Sequence, residues 1–213
     1  MKDLVWYASY GSNMHKKRFL CYLQGGRPEG SIKCYKGCSD KSGPKDDNQI
    51  KLRYELYFAK HSSSWENKGV AFIKSKRNES TETLGRMYLI KKGQFVEVVR
   101  QESGRGPDDP SINIDFETTI SKGSSLVPSI KWYGRIIHLG SEGSYQVFTC
   151  TAKWADEEIE LNTPGEEYLN VIIKGIKETY DLSNERIIEY LNNLNGIKGL
   201  IDEQKINKLI KPM

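Results

Sequence analysis

The chain has 213 residues, 37% of them hydrophobic, 10% aromatic and 28% charged, and that much apolar and aromatic surface offsets the conformational entropy of a domain-sized chain, which excludes a disordered tail. Lys and Arg exceed Asp and Glu by 4, too small an excess for a dedicated nucleic-acid binder, whose basic residues cluster and whose pI is usually higher. No stretch approaches the roughly 20 uninterrupted apolar residues of a membrane span, and the N-terminal residues lack a long apolar leader and cleavage site, so no membrane partner and a cytoplasmic location are expected.

The charge is unevenly spread. The first 53 residues hold 11 Lys/Arg against 5 Asp/Glu, and the remainder 21 against 23. That asymmetry is compatible with a small anionic ligand near the N-terminal part and equally with a solvated surface. Cys21, Cys34, Cys38 and Cys150 include one C-x3-C pair with no second pair and no His at zinc spacing, so they read as free thiols and no metal is expected.

In chain order, Leu4 to Tyr10 is an aromatic, β-prone run ending at Gly11, the pattern of a buried strand feeding a tight turn. Ser12 and Asn13 are N-cap types ahead of a helix predicted from Met14 to Leu23, closed by Gly25-Gly26 and Pro28. Residues 34 to 49 are polar and Gly/Pro-punctuated, a predicted surface loop that contributes little to any core. Lys51 to Lys60 alternates, with Leu52, Tyr54, Leu56 and Phe58 on one face, and Gly69 to Ile73 and Leu84 to Ile90 read as further strands. Gly93 to Glu102 carries Phe95, Val98 and Val99 on one helical stripe, and Glu102, seven positions after Phe95, falls on the same stripe and points inward. Residues 103 to 129 are rich in Gly, Pro, Asp and Ser and are assigned to an insertion or lid over the sheet. Ser129 to Leu139 and Ser144 to Trp154 flank Gly140 to Gly143 as a β-hairpin. Thr163-Pro164-Gly165-Glu166 predicts a capping box with Pro at the first helical position, and Leu169, Ile172, Ile173 and Ile176 form the buried stripe of the helix behind it. A last helix starts near Ser183, with Ile187, Ile188, Leu191 and Leu194 at helical spacing, and stops at Gly196. Strands and hairpins followed by helices, without regular alternation, predict an α+β fold rather than a doubly wound one. The expected architecture is one domain over residues 1–213, a small mixed or antiparallel sheet or barrel with packed helices, and surface insertions near 34–49 and 103–143.

Standard hydrolytic and nucleotide machinery does not assemble. No Ser lies in G-x-S-x-G, and His15, His61 and His138 stand in unrelated segments. Gly104-Arg105-Gly106 starts like a dinucleotide fingerprint but follows a helix and lacks the third Gly. Two features remain. Tyr10-Gly11-Ser12-Asn13-Met14, at a strand end entering a helix, offers free N–H groups and a close backbone approach to a carboxylate or phosphate, although an ordinary strand-to-helix turn has the same composition. Glu102, on an apolar stripe near a helix C-terminus, is either a desolvated carboxylate with a raised pKa suited to acid/base work or a solvated residue at a frayed end.

Tyr10-Gly11-Ser12-Asn13 after an aromatic strand resembles the signature of the γ-glutamyl cyclotransferase superfamily. Gly69 to Ile73, Leu84 to Tyr88 and Val99-Arg100-Gln101-Glu102 are similar to that family's strand, strand and helix leading to its catalytic Glu, and Thr163 to Leu169 resembles its C-terminal segment. The resemblance covers roughly residues 5–23, 69–102 and 145–195. It implies a metal-independent and cofactor-free enzyme that cyclises a γ-glutamyl amide to 5-oxoproline and expels an amine or amino acid. It further implies Glu102 as general acid/base, the 10–14 loop (Tyr10, Gly11, Ser12, Asn13 and Met14) as the cradle of the γ-glutamyl group, and Tyr168 as a substrate contact. The implied partner is a small γ-glutamyl substrate, with no nucleic acid. A catalytically inactive binding module of the same fold is the alternative.

Overall fold

The structure, a computed structural model, describes residues 3–28, 33–154 and 159–210. The N-terminal Met1-Lys2 and residues 155–158 of the C-terminal segment read above lie outside them. The expected α+β architecture is present. Strand β1 (Leu4–Ser9) lies inside a six-stranded mixed sheet of order β2-β5-β1-β8-β7-β6, made with β2 (Asp46–Leu52), β5 (Thr83–Lys91), β6 (Ser124–Leu126), β7 (Arg135–Glu142) and β8 (Tyr145–Thr151). It pairs antiparallel with β5, Val5 opposite Ile90 and Tyr7 opposite Tyr88, and parallel with β8. Coverage of both faces, with Val5 and Tyr7 in one apolar cluster and Trp6 and Ala8 in another, explains its unbroken run of buried side chains from Val5 to Tyr10. Strands β3 (Tyr54–Ser62) and β4 (Lys68–Arg77) form a separate antiparallel hairpin.

Six helices clothe the sheets: α1 (Lys16–Gln24), α2 (Lys92–Glu102), α3 (Phe116–Lys122), α4 (Glu166–Thr179), α5 (Asn184–Asn192) and α6 (Glu203–Ile210). Helix α2 follows β5 without a linker and turns back over β1. Its 11 residues rise about 16 Å, and the six residues of β1 span about 20 Å. The last turn of α2 is thereby brought to the C-terminal end of β1. Phe95, Val98 and Val99 are fully buried against Val5, Tyr7 and Tyr88; at about 1.5–3 kcal/mol for each such side chain, this stripe holds Glu102 in place. A second core joins Phe58 and Phe72 of the hairpin to Leu169, Ile172, Ile173 and Ile176 of α4 and Ile187 and Leu191 of α5.

Several sequence expectations are corrected. The helix predicted from Met14 begins at Lys16, because Ser12–Met14 forms a 3-10 turn instead. Residues 34–49 do contribute to the core: Tyr35 and Cys38 are buried, and the segment runs into edge strand β2. The alternating run 51–60 is broken at Arg53 into β2 and β3, which belong to different sheets. Residues 103–129, assigned to an insertion or lid, contribute Ile112, Ile114 and Val127 to the core and supply α3 and β6. The 140–143 turn is displaced, with β7 extending to Glu142. The capping box at Thr163 does not form; Gly165 occupies the N-cap of α4 with no side-chain bond. Helix α6 lies beyond Gly196, past the last helix that the periodicity predicts.

Candidate active site

Tyr10 closes β1 by donating its hydroxyl to the Cys150 carbonyl at 2.7 Å. The chain then turns through Gly11 into the 3-10 turn, in which the Met14 N–H bonds the Gly11 carbonyl at 3.0 Å. Tyr88 Oη reaches across from β5 and donates to the carbonyls of Asn13 at 2.8 Å and Met14 at 3.1 Å. This fixes the carbonyl side of the turn, whose first amides, like those of any helical turn, have no partner within it. Gly11 lets the turn approach closely: a Cβ there would stand 3.1 Å from Tyr168 Oη and 3.4 Å from the Ala71 side chain.

Glu102, at the last position of α2, meets this turn directly. Asn13 Nδ2 donates to its Oε1 at 2.5 Å and makes a longer contact, 3.4 Å, with Tyr7 Oη. Burial pushes the Glu102 carboxyl above its ordinary pKa, against the Arg18 guanidinium, the Tyr22 and Asn13 hydrogen bonds and Lys33, all of which favour the charged form. Desolvation outweighs the groups that favour the charged form of this half-buried carboxyl. Tyr168, from the first turn of α4, accepts a hydrogen bond from the Ala71 N–H at 3.2 Å, and burial pushes its hydroxyl up to about 12, so it stays a neutral donor. Tyr133 donates to the Ala71 carbonyl at 3.1 Å and stacks on Phe72. Its backbone is left-handed at φ 55°, an unusual conformation for a bulky side chain that costs on the order of 1–3 kcal/mol and that the surroundings must hold.

These groups line an inner cavity of about 40 Å³, bounded by Tyr10, Gly11, Ser12, Asn13, Glu102 and Tyr168. It adjoins an outer cleft of about 470 Å³ through Ser12, Glu102, Tyr133 and Tyr168, which belong to both. Of the residues singled out in the sequence, Glu102, Tyr10, Gly11, Ser12, Asn13 and Tyr168 therefore converge. Met14 does not: its side chain is buried in the core behind the turn and its N–H is already bonded. Sequence reading missed Arg18, Tyr22 and Tyr133. Arg18 and Tyr22 lie four positions apart on α1, hence on one face, a signal that was available; Tyr133 lies in a stretch without periodicity. The four cysteines are free thiols, and no three metal-ligating side chains converge among the described residues.

This small cavity, lined by a Gly-Ser-Asn turn and a helix-borne carboxylate, sits in a fold that solved structures share. A solved structure of a γ-glutamyl cyclotransferase superposes with a TM-score of 0.52 at 15% identity, covering 98% of both chains. An uncharacterized protein from Homo sapiens gives 0.51 at 15% identity, covering 98% of this chain and 99% of its own. At that identity the likeness establishes the fold. No family model matches the sequence. A curated relative, histone deacetylase 5 of Arabidopsis thaliana, is 37% identical over 199 residues, which is 88% of this chain and 30% of that protein. The chain thus spans less than a third of the relative's length, and the activity in its name attaches to that whole protein.

Proposed function

We propose that the chain is a γ-glutamyl cyclotransferase-type enzyme, converting a γ-glutamyl amide to 5-oxoproline and a free amine. The observation that carries this reading is the Glu102 carboxylate, hydrogen-bonded to Asn13 at 2.5 Å, at the junction of a small inner cavity and the larger cleft beside it. The substrate's own α-amine attacks its γ-carbonyl carbon, so the new C–N bond closes a five-membered lactam and the old C–N bond to the departing amine breaks. The reaction is intramolecular, and holding the glutamyl group folded supplies much of the rate by proximity. Glu102 takes a proton from the attacking nitrogen and returns it to the departing one, first base and then acid. The amides of Gly11 to Asn13 face the α-carboxylate or the developing oxyanion with fixed dipoles, and Tyr168 adds a neutral hydroxyl beside Gly11.

The test is incubation with a panel of γ-glutamyl dipeptides and γ-glutamyl amines, reading 5-oxoproline. Turnover is expected with at least one of them, and Glu102→Gln is expected to keep the fold and reduce the rate by at least about 100-fold. Near-normal product formation by that variant removes Glu102 from the chemistry. Binding of the panel without any 5-oxoproline favours an inactive binding module of the same fold.

A further inference from the structure

Arg18 and Arg86 are equally buried, with 7% and 6% of their surfaces exposed. Their surroundings differ in one respect. Arg86 is paired with Asp47 and with Glu178, the latter at 3.1 Å, as a buried guanidinium ordinarily is. Arg18 has no ion pair among the described residues. Its Nε donates to Ser12 Oγ at 2.9 Å and its Nη2 to Tyr35 Oη at 3.3 Å, both neutral, and its guanidinium lies 4.9 Å from the Trp65 ring centroid. Lys33 comes to the same place, its Nζ 4.8 Å from the Tyr35 ring centroid. Arg18 and Lys33 line the outer cleft, not the inner cavity, and Glu102 is the cleft's one carboxylate among the described lining residues. A buried cation whose hydrogen-bond partners are all neutral, which the one carboxylate, Glu102, reaches only from beyond ion-pair contact, and which has a second cation beside it in a cavity open to solvent, is matched by an anionic ligand.

We propose that Arg18 and Lys33 form an anion subsite of the outer cleft that binds a carboxylate carried by the departing amine. The orientation rests on the cyclisation reading above: with the glutamyl head against the Gly11 to Asn13 amides, Glu102 at the scissile bond leaves the departing group on the outer side, where it also exits. Arg18 and Lys33 are then the residues that separate γ-glutamyl amino acids and peptides from γ-glutamyl alkylamines. The bond from Arg18 Nε to Ser12 Oγ ties the subsite to the turn.

The test uses the full chain and a pair of compounds that differ only in the carboxylate, γ-glutamylalanine and γ-glutamylethylamine, with 5-oxoproline as the readout. The wild-type chain is expected to favour γ-glutamylalanine by about 10- to 100-fold in kcat/KM, the range of a charge-assisted hydrogen bond. Arg18→Gln is expected to collapse that ratio to within about threefold, chiefly through KM for γ-glutamylalanine. Lys33→Gln, at a half-buried side chain outside the helices and strands, is expected to lower the ratio part-way, and decides the matter if Arg18→Gln does not fold. A wild-type ratio near one, a ratio unmoved by both substitutions, or an equal loss on both compounds overturns the subsite; equal loss would place Arg18 on the glutamyl half. Calorimetric titration of the same pair into Glu102→Gln reads the subsite without turnover. Tighter binding of γ-glutamylalanine there, abolished by adding Arg18→Gln, supports the subsite even if the wild-type chain releases no 5-oxoproline, in which case the cyclisation reading alone falls. Equal binding of the two compounds overturns the subsite.

Discussion

At position 102 two demands conflict, and the conflict is measurable. Desolvation raises the pKa of the Glu102 carboxyl above 4.5 while Arg18, Tyr22 and Asn13 pull it down, and the first prevails. Because the folded value exceeds the unfolded one, the protonated acid is the form the fold prefers. Stability tied to this group is fully present below the unfolded value and is lost as pH rises through the raised folded value. Glu102→Gln removes that loss, so the melting temperature of the variant minus that of the wild type should grow between pH 4 and pH 7.5. A difference that shrinks over this interval would mean that the hydrogen bonds outweigh desolvation and the carboxylate is the stabilised form. The same direction places the acid limb of kcat/KM above 4.5, since Glu102 must start deprotonated to act as base. Gly11 is the second residue whose role is local. Its Cβ-to-be meets Tyr168 Oη at 3.1 Å and Ala71 Cβ at 3.4 Å, contacts that yield by a few tenths of an ångström. Gly11→Ala should therefore fold and melt near the wild type but lose about tenfold in kcat, since misplacing a reacting group by about 1 Å costs about 100-fold; unchanged kcat would show that the turn's position is not critical. Glu102 was legible because a seven-residue offset on an apolar stripe is a property of the local sequence. For Arg18 the sequence offered only its shared face with Tyr22 on α1; its neighbours Tyr35 and Trp65 come from distant segments.

The site is assembled from element ends, and the closest approach among them is between α4 and the 3-10 turn. Gly175, in the middle of α4, makes it possible: a Cβ at that position would lie 2.6 Å from both the Met14 Cβ and the His15 backbone nitrogen. In an isolated helix Gly→Ala gains about 1 kcal/mol from propensity. Here the obstruction is backbone that is itself held by Tyr88 through the Asn13 and Met14 carbonyls, so either the helix or the turn must move. Gly175→Ala is expected to lower the melting temperature despite the better helix former, and to reduce 5-oxoproline release, because Tyr168 and Asn13 would separate. A rise in melting temperature with full activity would show that α4 is free to shift. The apolar stripes of α2, α4 and α5 were readable from periodicity because each packs one face on a sheet. The start of α4 was not, since Pro164 and Gly165 satisfy a capping pattern on paper, while the structure closes the turn through the Leu169 N–H to the Gly165 carbonyl at 3.0 Å.

Across the molecule, two sheets must be held in register for Ala71 of the hairpin to reach Tyr133 and Tyr168. This division was not legible: the alternation of Leu52, Tyr54, Leu56 and Phe58 passes through Arg53 unbroken, although the chain leaves one sheet there and enters the other. The core roles of Tyr35, Cys38 and residues 112–130 were hidden for a related reason, because isolated apolar residues among polar ones are buried by tertiary contact alone and leave no period. Thr83 Oγ1 of β5 bonds the Tyr54 carbonyl of β3, and Thr151 joins the sheets at a second point. Thr151 Oγ1, at the end of β8, donates to the Ile73 carbonyl at 2.7 Å and accepts from the Ile73 N–H at 3.1 Å, so a single hydroxyl satisfies both backbone groups of a fully buried β4 residue. Thr151→Val keeps the shape and deletes both bonds, leaving a donor and an acceptor unpaired in the core at a cost of about 1–3 kcal/mol each. For a chain of this size a loss of 1 kcal/mol lowers the melting temperature by about 2–4 °C. A drop of at least several degrees is expected, and with it a rise in KM, because β4 carries Ala71 two residues from the lost clip. Hydrogen exchange should show faster exchange at Ile73 and Ala71 than in β1 and β5. If Thr151→Val melts with the wild type and exchange at Ile73 is unchanged, the hairpin is held by its other contacts and the hydroxyl contributes nothing.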